Sequence, residues 1–255
     1  MNLCTDQLAM LVAAPGQLVS VSHLANDPGI SLMSAETDGL VINHGLAEEI
    51  FRLRPDLVIA GTYTTRATVN LLRRLGRRVE EFEPANSFAD IRGNVTRMGA
   101  ILGRERQAEA LNAAFDTELA GISALAGAAE VPVLGSYGAN SFTTGGGTLE
   151  NEIVEKTGFR HLGEELGLSG TSRLPLETLV LSNPDFILVW ERWSADPSRA
   201  TDILRHPALR ARFGEERRLS ADSRYWICGT PLTLGAVERL RAAAHVAGGA
   251  GSADR

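Results

Sequence analysis

Two segments of this chain carry nearly the same wording: EEIFRLRPDLVIA from Glu48 to Ala60, and ETLVLSNPDFILV from Glu177 to Val189. Aligned on Pro55-Asp56 and Pro184-Asp185, both read as an acid, an apolar helical stretch, Pro-Asp, then a β-branched or aromatic run. Proline cannot continue the i→i−4 ladder, so each helix must end at its proline and each Pro-Asp turn must feed a strand. The same supersecondary unit is used twice, which predicts two similar α/β lobes.

The rest of the chain fits that division. In the first half, QLVSVSH (17–23), DLVIAG (56–61) and RRVEEF (77–82) read as strands, with TTRATVNLLRRLG a helix closed by Gly76. In the second half VPVLGSY (131–137), DFILVW (185–190) and RYWICG (224–229) read as strands. TLENEIVEKTG (148–158) and TPLTLGAVERLRAAAHVAG (230–248) read as helices. Strands alternating with helices imply mainly parallel sheets. Between the halves, Leu111, Phe115, Leu119, Ile122 and Ala126 form one apolar stripe at three- and four-residue steps. That pattern predicts a bridging helix over 104–129, of which about 24 helical residues would span roughly 36 Å at about 1.5 Å per residue. The expected division is an N-terminal lobe over 1–103, the connecting helix, and a C-terminal lobe over 130–255.

Composition removes several functions. The net charge of -6 lacks the basic excess of a nucleic-acid partner. No apolar run is long enough to span a membrane, and no leader precedes NLCTDQ. Lys156 is the only lysine among 25 basic residues, which reflects base composition more than chemistry. Cys4 and Cys228 form no CxxC; the plainer reading is two buried thiols, with one disulfide as the alternative.

In open parallel sheets ligands bind beyond the carboxyl ends of the strands. Tyr63 follows the second predicted strand, Tyr137 and Asn140 follow VPVLG, and Trp190, Arg192 and Trp193 follow DFILV. Tyr225 and Trp226 lie in the last. Large amphipathic rings gathered at strand ends suit a bulky, flat ligand. The glycine run of TTGGGTLEN offers amides at a helix start, but it lacks the Lys-Ser/Thr of a phosphate loop and reads better as a turn. His23 and His44 read as structural or loop histidines. No HExxH, GxSxG or paired Cys/His spacing appears, so neither a catalytic set nor a metal site is expected.

With these residues in view, the chain resembles the substrate-binding proteins of ABC importers for ferric siderophores, haem and cobalamin. The resemblance runs through NLCTDQLAMLVAAPGQLVSVSHLANDP, both Pro-Asp modules, SFADIRGNVTRMGAILGRERQAEALNAAF and TPLTLGAVERLRA. It implies two α/β lobes bridged by one long helix, no catalysis, no resident cofactor, and a metal chelate as cargo. Tyr63, Arg66, Tyr137, Asn140, Trp190, Arg192, Trp193 and Trp226 would line its site, with an arginine meeting the negative charge of the chelate. One glutamate per lobe, Glu48 and Glu177, would dock the membrane permease; Glu49 leaves the first ambiguous by one residue. The resemblance also places Cys4 and Cys228 near the ligand, where a disulfide or a soft-metal contact is the lesser alternative. It implies a periplasmic monomer whose natural chain begins upstream, with a signal peptide and a first strand ahead of Met1. A sheet lacking that strand would leave an edge or slot open. The competing class is a two-lobed enzyme of nucleotide-sugar transferase type, using the glycine run with Glu150 and Glu152; a chelatase-like metal handler would need clustered ligands that the sequence does not show.

Overall fold

A computed structural model describes residues 1–122, 131–190 and 198–250, the side chains of Trp190, Ala221 and 244–250 apart. The chain divides into two compact units, and the division does not follow chain order. The first holds Met1–Asp116 and Ile227–Leu232; the second holds Thr117–Trp226 and Thr233–Arg255.

Unit 1 opens with α1 (Leu3–Val12), whose first amides are satisfied by Asn2: its Oδ1 accepts from Cys4 N at 3.0 Å. Strand β1 (Ser20–Ser22) pairs in parallel with β2 (Val41–Asn43). Next come α2 (Ala47–Arg52), β3 (Leu57–Gly61), α3 (Arg66–Arg74) and β4 (Arg78–Phe82), with β3 parallel to β4. Gly76, at φ +78°, takes the left-handed turn that lets the chain leave α3 for β4. Helix α4 (Phe88–Leu102) is capped by Ser87, whose Oγ accepts from Asp90 N at 3.0 Å, and ends at Gly103. It lies so close to α5 (Glu105–Gly121) that a Cβ on Gly99 would stand 2.5 Å from that of Ala108. Leu8, Val12, Phe82, Val95 and Met98 fill the core beneath α1 and α4.

Unit 2 is built on one parallel sheet of order β10-β9-β5-β7: β5 (Val133–Tyr137), β7 (Arg160–His161), β9 (Phe186–Trp190) and β10 (Arg218–Ala221). Beside it β6 (Phe142–Thr144) pairs antiparallel with β8 (Thr171–Arg173). Helices α6 (Leu149–Lys156), α7 (Leu162–Glu165), α8 (Leu176–Ser182), α9 (Pro207–Arg212), α10 (Arg224–Ile227) and α11 (Leu234–Ala250) complete it. Strands covered on both faces need apolar side chains throughout, and Leu134, Ile187 and Leu188 are wholly buried.

The repeated wording folds the same way twice. Helix α2 leads through Arg54 (φ +51°) and Pro55-Asp56 into β3; helix α8 leads through Asn183 (φ +47°) and Pro184-Asp185 into β9. In both, the residue before proline is left-handed, the conformation that closes the helix and turns the chain toward the strand.

Two expectations need correction. The segment 224–229 is not a strand. Asp222 accepts from Arg224 N at 3.0 Å and starts the turn of α10, while the strand of this region is β10, which ends before it at Ala221. The helix expected over 104–129 is present as α5, 17 residues and roughly 25 Å long; 123–130 lie outside the described residues.

Candidate functional site

In unit 1 the carboxyl end of β3 is held open by its own turn. Gly61 N donates to Thr64 Oγ1 at 3.0 Å, Thr62 N donates to Phe82 O, and the Thr62 hydroxyl reaches Glu83 at 3.1 Å. Tyr63, at the tip, has no inward path and is 86% exposed. It borders a cavity of about 190 Å³ shared with Asn2, Thr62, Glu83, Asn94 and Cys4. Arg66, three residues on, begins α3 and is also exposed.

The wall of this cavity is fastened covalently. Cys4, in the first turn of α1, is bonded to Cys228 with Cα atoms 4.9 Å apart. The two-thiol reading is thus overturned. Residues 227–232 are built into unit 1, which brings together two cysteines 224 positions apart. The disulfide leaves neither sulfur as a thiolate ligand for a soft metal.

Further along the same unit, His23 and His44 follow β1 and β2 and stack with ring centroids 5.2 Å apart. Glu49 turns back to this corner, accepting from His44 N at 2.7 Å and lying 3.2 Å from its Nδ1. The His44 amide holds its carboxyl below the usual carboxylate range. Glu48, beside it on α2, is exposed.

Unit 2 places its expected ligand residues differently. Tyr137 is 0% exposed, packed among Leu174, Leu179, Ile187 and Phe213. It ends the strand β5, which has neighbours on both edges, so that end is core rather than rim. Burial pushes its phenol above the ordinary value, with Ser141 opposing and the Glu177 carboxylate adding to the shift. Trp226 also turns inward, against the cluster of Leu134, Val154, Leu188 and Leu240, with its Nε1 enclosed. Tyr137 is thus enclosed in the core, whereas Trp226 is half-buried. Asn140 stays exposed beyond β5 in a left-handed conformation, φ +56°, its N–H donating to Ala200 O at 2.7 Å. Trp190 ends β9; Arg192 and Trp193 lie outside the described residues.

The first two amides of the glycine run are taken up within the fold. Gly145 N donates to Gly170 O and Gly146 N to Leu168 O, both at 2.9 Å. A Cβ on Gly145 would lie 2.2 Å from Leu168 O, so these glycines serve close packing. Glu150 is buried and engaged by the Thr144 hydroxyl at 2.7 Å, with His161 3.8 Å away. Gly145, Gly146 and Glu150, part of what the transferase alternative would use, are thus engaged within the fold. Among the described residues no group of three or more His, Cys, Asp or Glu could hold a metal ion.

The sequence matches the periplasmic binding protein family over residues 2–219. The chain belongs to that family. No curated protein matches it at a significant level. Among solved structures it is similar to the apo periplasmic haem-binding protein RhuT of Roseiflexus sp. RS-1, with TM-score 0.78 and 19% identity over 96% of each chain. A periplasmic haem-binding protein of Pseudomonas aeruginosa gives 0.74 and 20%, over 94% of this chain and 89% of that one. The vitamin B12 binding protein BtuF of Vibrio cholerae gives 0.61 and 17%, over 97% and 95%. In this member of the family, Glu48 and Glu177 occupy the same place in the two modules. Each is exposed and each is the second residue of its helix, seven positions before the proline. Glu49, tied to His44, is the less available of the adjacent pair.

Proposed function

We propose that the protein captures a ferric chelate of flat, haem-like form in the periplasm and passes it, as a monomer, to an ABC permease. The observation that carries this reading is Tyr63, an exposed phenol at the carboxyl end of β3 above a cavity walled by the disulfide. A phenolate is a hard oxygen ligand suited to ferric iron, and tyrosine serves as an axial ligand in haem proteins. Arg66 supplies a nearby cation for the carboxylates of such a ligand. Solved proteins of the same fold are described as binding haem, vitamin B12 or ferric hydroxamate. Glu48 and Glu177 present one carboxylate per unit to basic pockets of the permease, as charge-assisted pairs. Neither a resident cofactor nor catalysis has a part in this cycle.

Titration of the oxidised protein with ferric haem, followed by visible absorbance, tests it. We expect saturable binding with a tyrosinate-ligated ferric spectrum, weakened about tenfold or more in Tyr63→Phe, a loss of about 1.4 kcal/mol. Metal-free protoporphyrin should bind far less well. In the same preparation Glu48→Gln with Glu177→Gln should leave binding unchanged and abolish ligand transfer to permease vesicles. Binding of cobalamin or a ferric hydroxamate with no response to haem would overturn the haem-like assignment; transfer undiminished in the double variant would overturn the docking role.

A further inference from the structure

We propose that unit 1 carries a metal site of its own, in which His23 and His44 hold a borderline divalent ion of the zinc type. Strand register brings the two residues together. β1 and β2 pair in parallel as Ser20 with Val41, Val21 with Ile42 and Ser22 with Asn43, so the next rung is His23 with His44. The ladder runs on that far, since His23 N donates to Asn43 O at 2.8 Å. In-register residues of a parallel pair project on one face of the sheet, about 4.8 Å apart. The imidazoles accordingly meet, with ring centroids 5.2 Å apart. A zinc ion about 2.05 Å from one nitrogen of each ring would lie roughly 3.2 Å from each centroid. Centroids 5.2 Å apart subtend about 110° at such a point, the tetrahedral angle.

The surroundings of the pair suit ligands better than packing residues. Both rings are exposed, that of His44 to 62%, so their contact adds little to the core. A carboxylate orients the His44 ring: Glu49 Oε1 lies 3.2 Å from its Nδ1, while Oε2 accepts from His44 N at 2.7 Å. A carboxylate on one imidazole nitrogen fixes the tautomer whose other nitrogen, here Nε2, offers its lone pair to a metal. Gly45, at φ +75°, makes the turn through which α2 returns Glu49 to this corner. Asn43, buried beneath, fastens the rung. Its Oδ1 accepts from Gly45 N at 3.1 Å and its Nδ2 donates to Ser20 Oγ at 2.8 Å. Among the described residues no hydrogen bond engages the His23 ring or His44 Nε2.

Two protein nitrogens leave the remaining positions of a tetrahedral ion to water or a small chelator. The site therefore needs no third histidine or carboxylate on the metal, and none is grouped there among the described residues. It does not rest on the haem-like cargo, since two imidazoles and a hard phenolate select different ions.

Titration calorimetry with Zn²⁺ on the oxidised protein, free of any affinity tag, tests the inference. Saturable uptake of one ion is expected. His23→Ala and His44→Ala should each weaken it about hundredfold, and Glu49→Ala about tenfold or more, with unfolding midpoints unmoved. Glu49→Gln, which keeps an acceptor oxygen for Nδ1, should recover part of that loss. Tyr63→Phe should leave zinc binding as it was, and so should His206→Ala, at an exposed histidine of unit 2. No saturable uptake, or uptake undiminished in either variant of the pair, would overturn the site. Loss in Tyr63→Phe would place the ion at the end of β3 instead, and loss in His206→Ala would reveal an adventitious ion only. Full affinity in Glu49→Ala would overturn the orienting role of the carboxylate.

Discussion

Asp56 and Asp185 stand at the same corner of the same module, yet one lines a slot, a cavity of about 400 Å³, and the other fastens a strand. In unit 2 the Asp185 carboxylate ties β9 to the start of β5, and one four-stranded sheet results. In unit 1 the strands pair as β1-β2 and β3-β4, and the Asp56 corner lines a cavity. The module alone makes a helix, a corner and a strand; a continuous sheet also needs the neighbour on the inner edge. Unit 1 also has a covalent brace, Cys4–Cys228, in the first turn of α1.

The largest break in this comparison should come from removing that brace. Cys4→Ser with Cys228→Ser should cost about 4 kcal/mol in urea unfolding, given the long loop the bond closes. Hydrogen exchange should show the loss first in α1 and β3. An equal early loss in β5 and β9 would mean that the two units unfold as one body. Truncating the apolar residue five positions before each proline gives the next effect. Leu179→Ala, in a fully packed core, should cost about 3 kcal/mol. Ile50→Ala, beside the slot, should cost only about 1 kcal/mol, because its surroundings are already open on one side. Equal costs would show that the slot closes in solution. The smallest effect separates the two aspartates. Asp185→Ala should lose about 1 kcal/mol with the Val133 hydrogen bond, whereas Asp56→Ala should leave the midpoint unmoved.

Much of this was readable in the amino-acid order, for reasons that differ by residue. The two modules were legible because proline and the apolar run are local constraints, and local constraints survive any packing. β3, β4, β5 and β9 followed within a residue or two at their ends. The segment 224–229 misled because its aromatic and β-branched residues favour a strand, while the deciding contact is Asp222 bonding to Arg224 N just before it. Tyr137 and Tyr63 each follow a buried run, and nothing nearby says that one strand end is core and the other rim. That distinction belongs to strand order, which periodicity does not encode. The Cys4–Cys228 bond was hidden for the same reason, since separation along the chain carries no information about separation in space. Its best local signal was the placement of both cysteines at the margins of predicted elements near the two ends of the chain.

The return of 227–232 to unit 1 has a consequence for the order in which the molecule can be made. Synthesis proceeds from the N-terminal side, and N-terminal domains usually fold first. Here the first unit waits for six residues that emerge only after nearly all of the second has been produced. Its last stitch, Cys228, follows Cys4 by 224 positions. The unit that starts first is therefore finished last, and until then the wall beside Tyr63 has only one of its two cysteines.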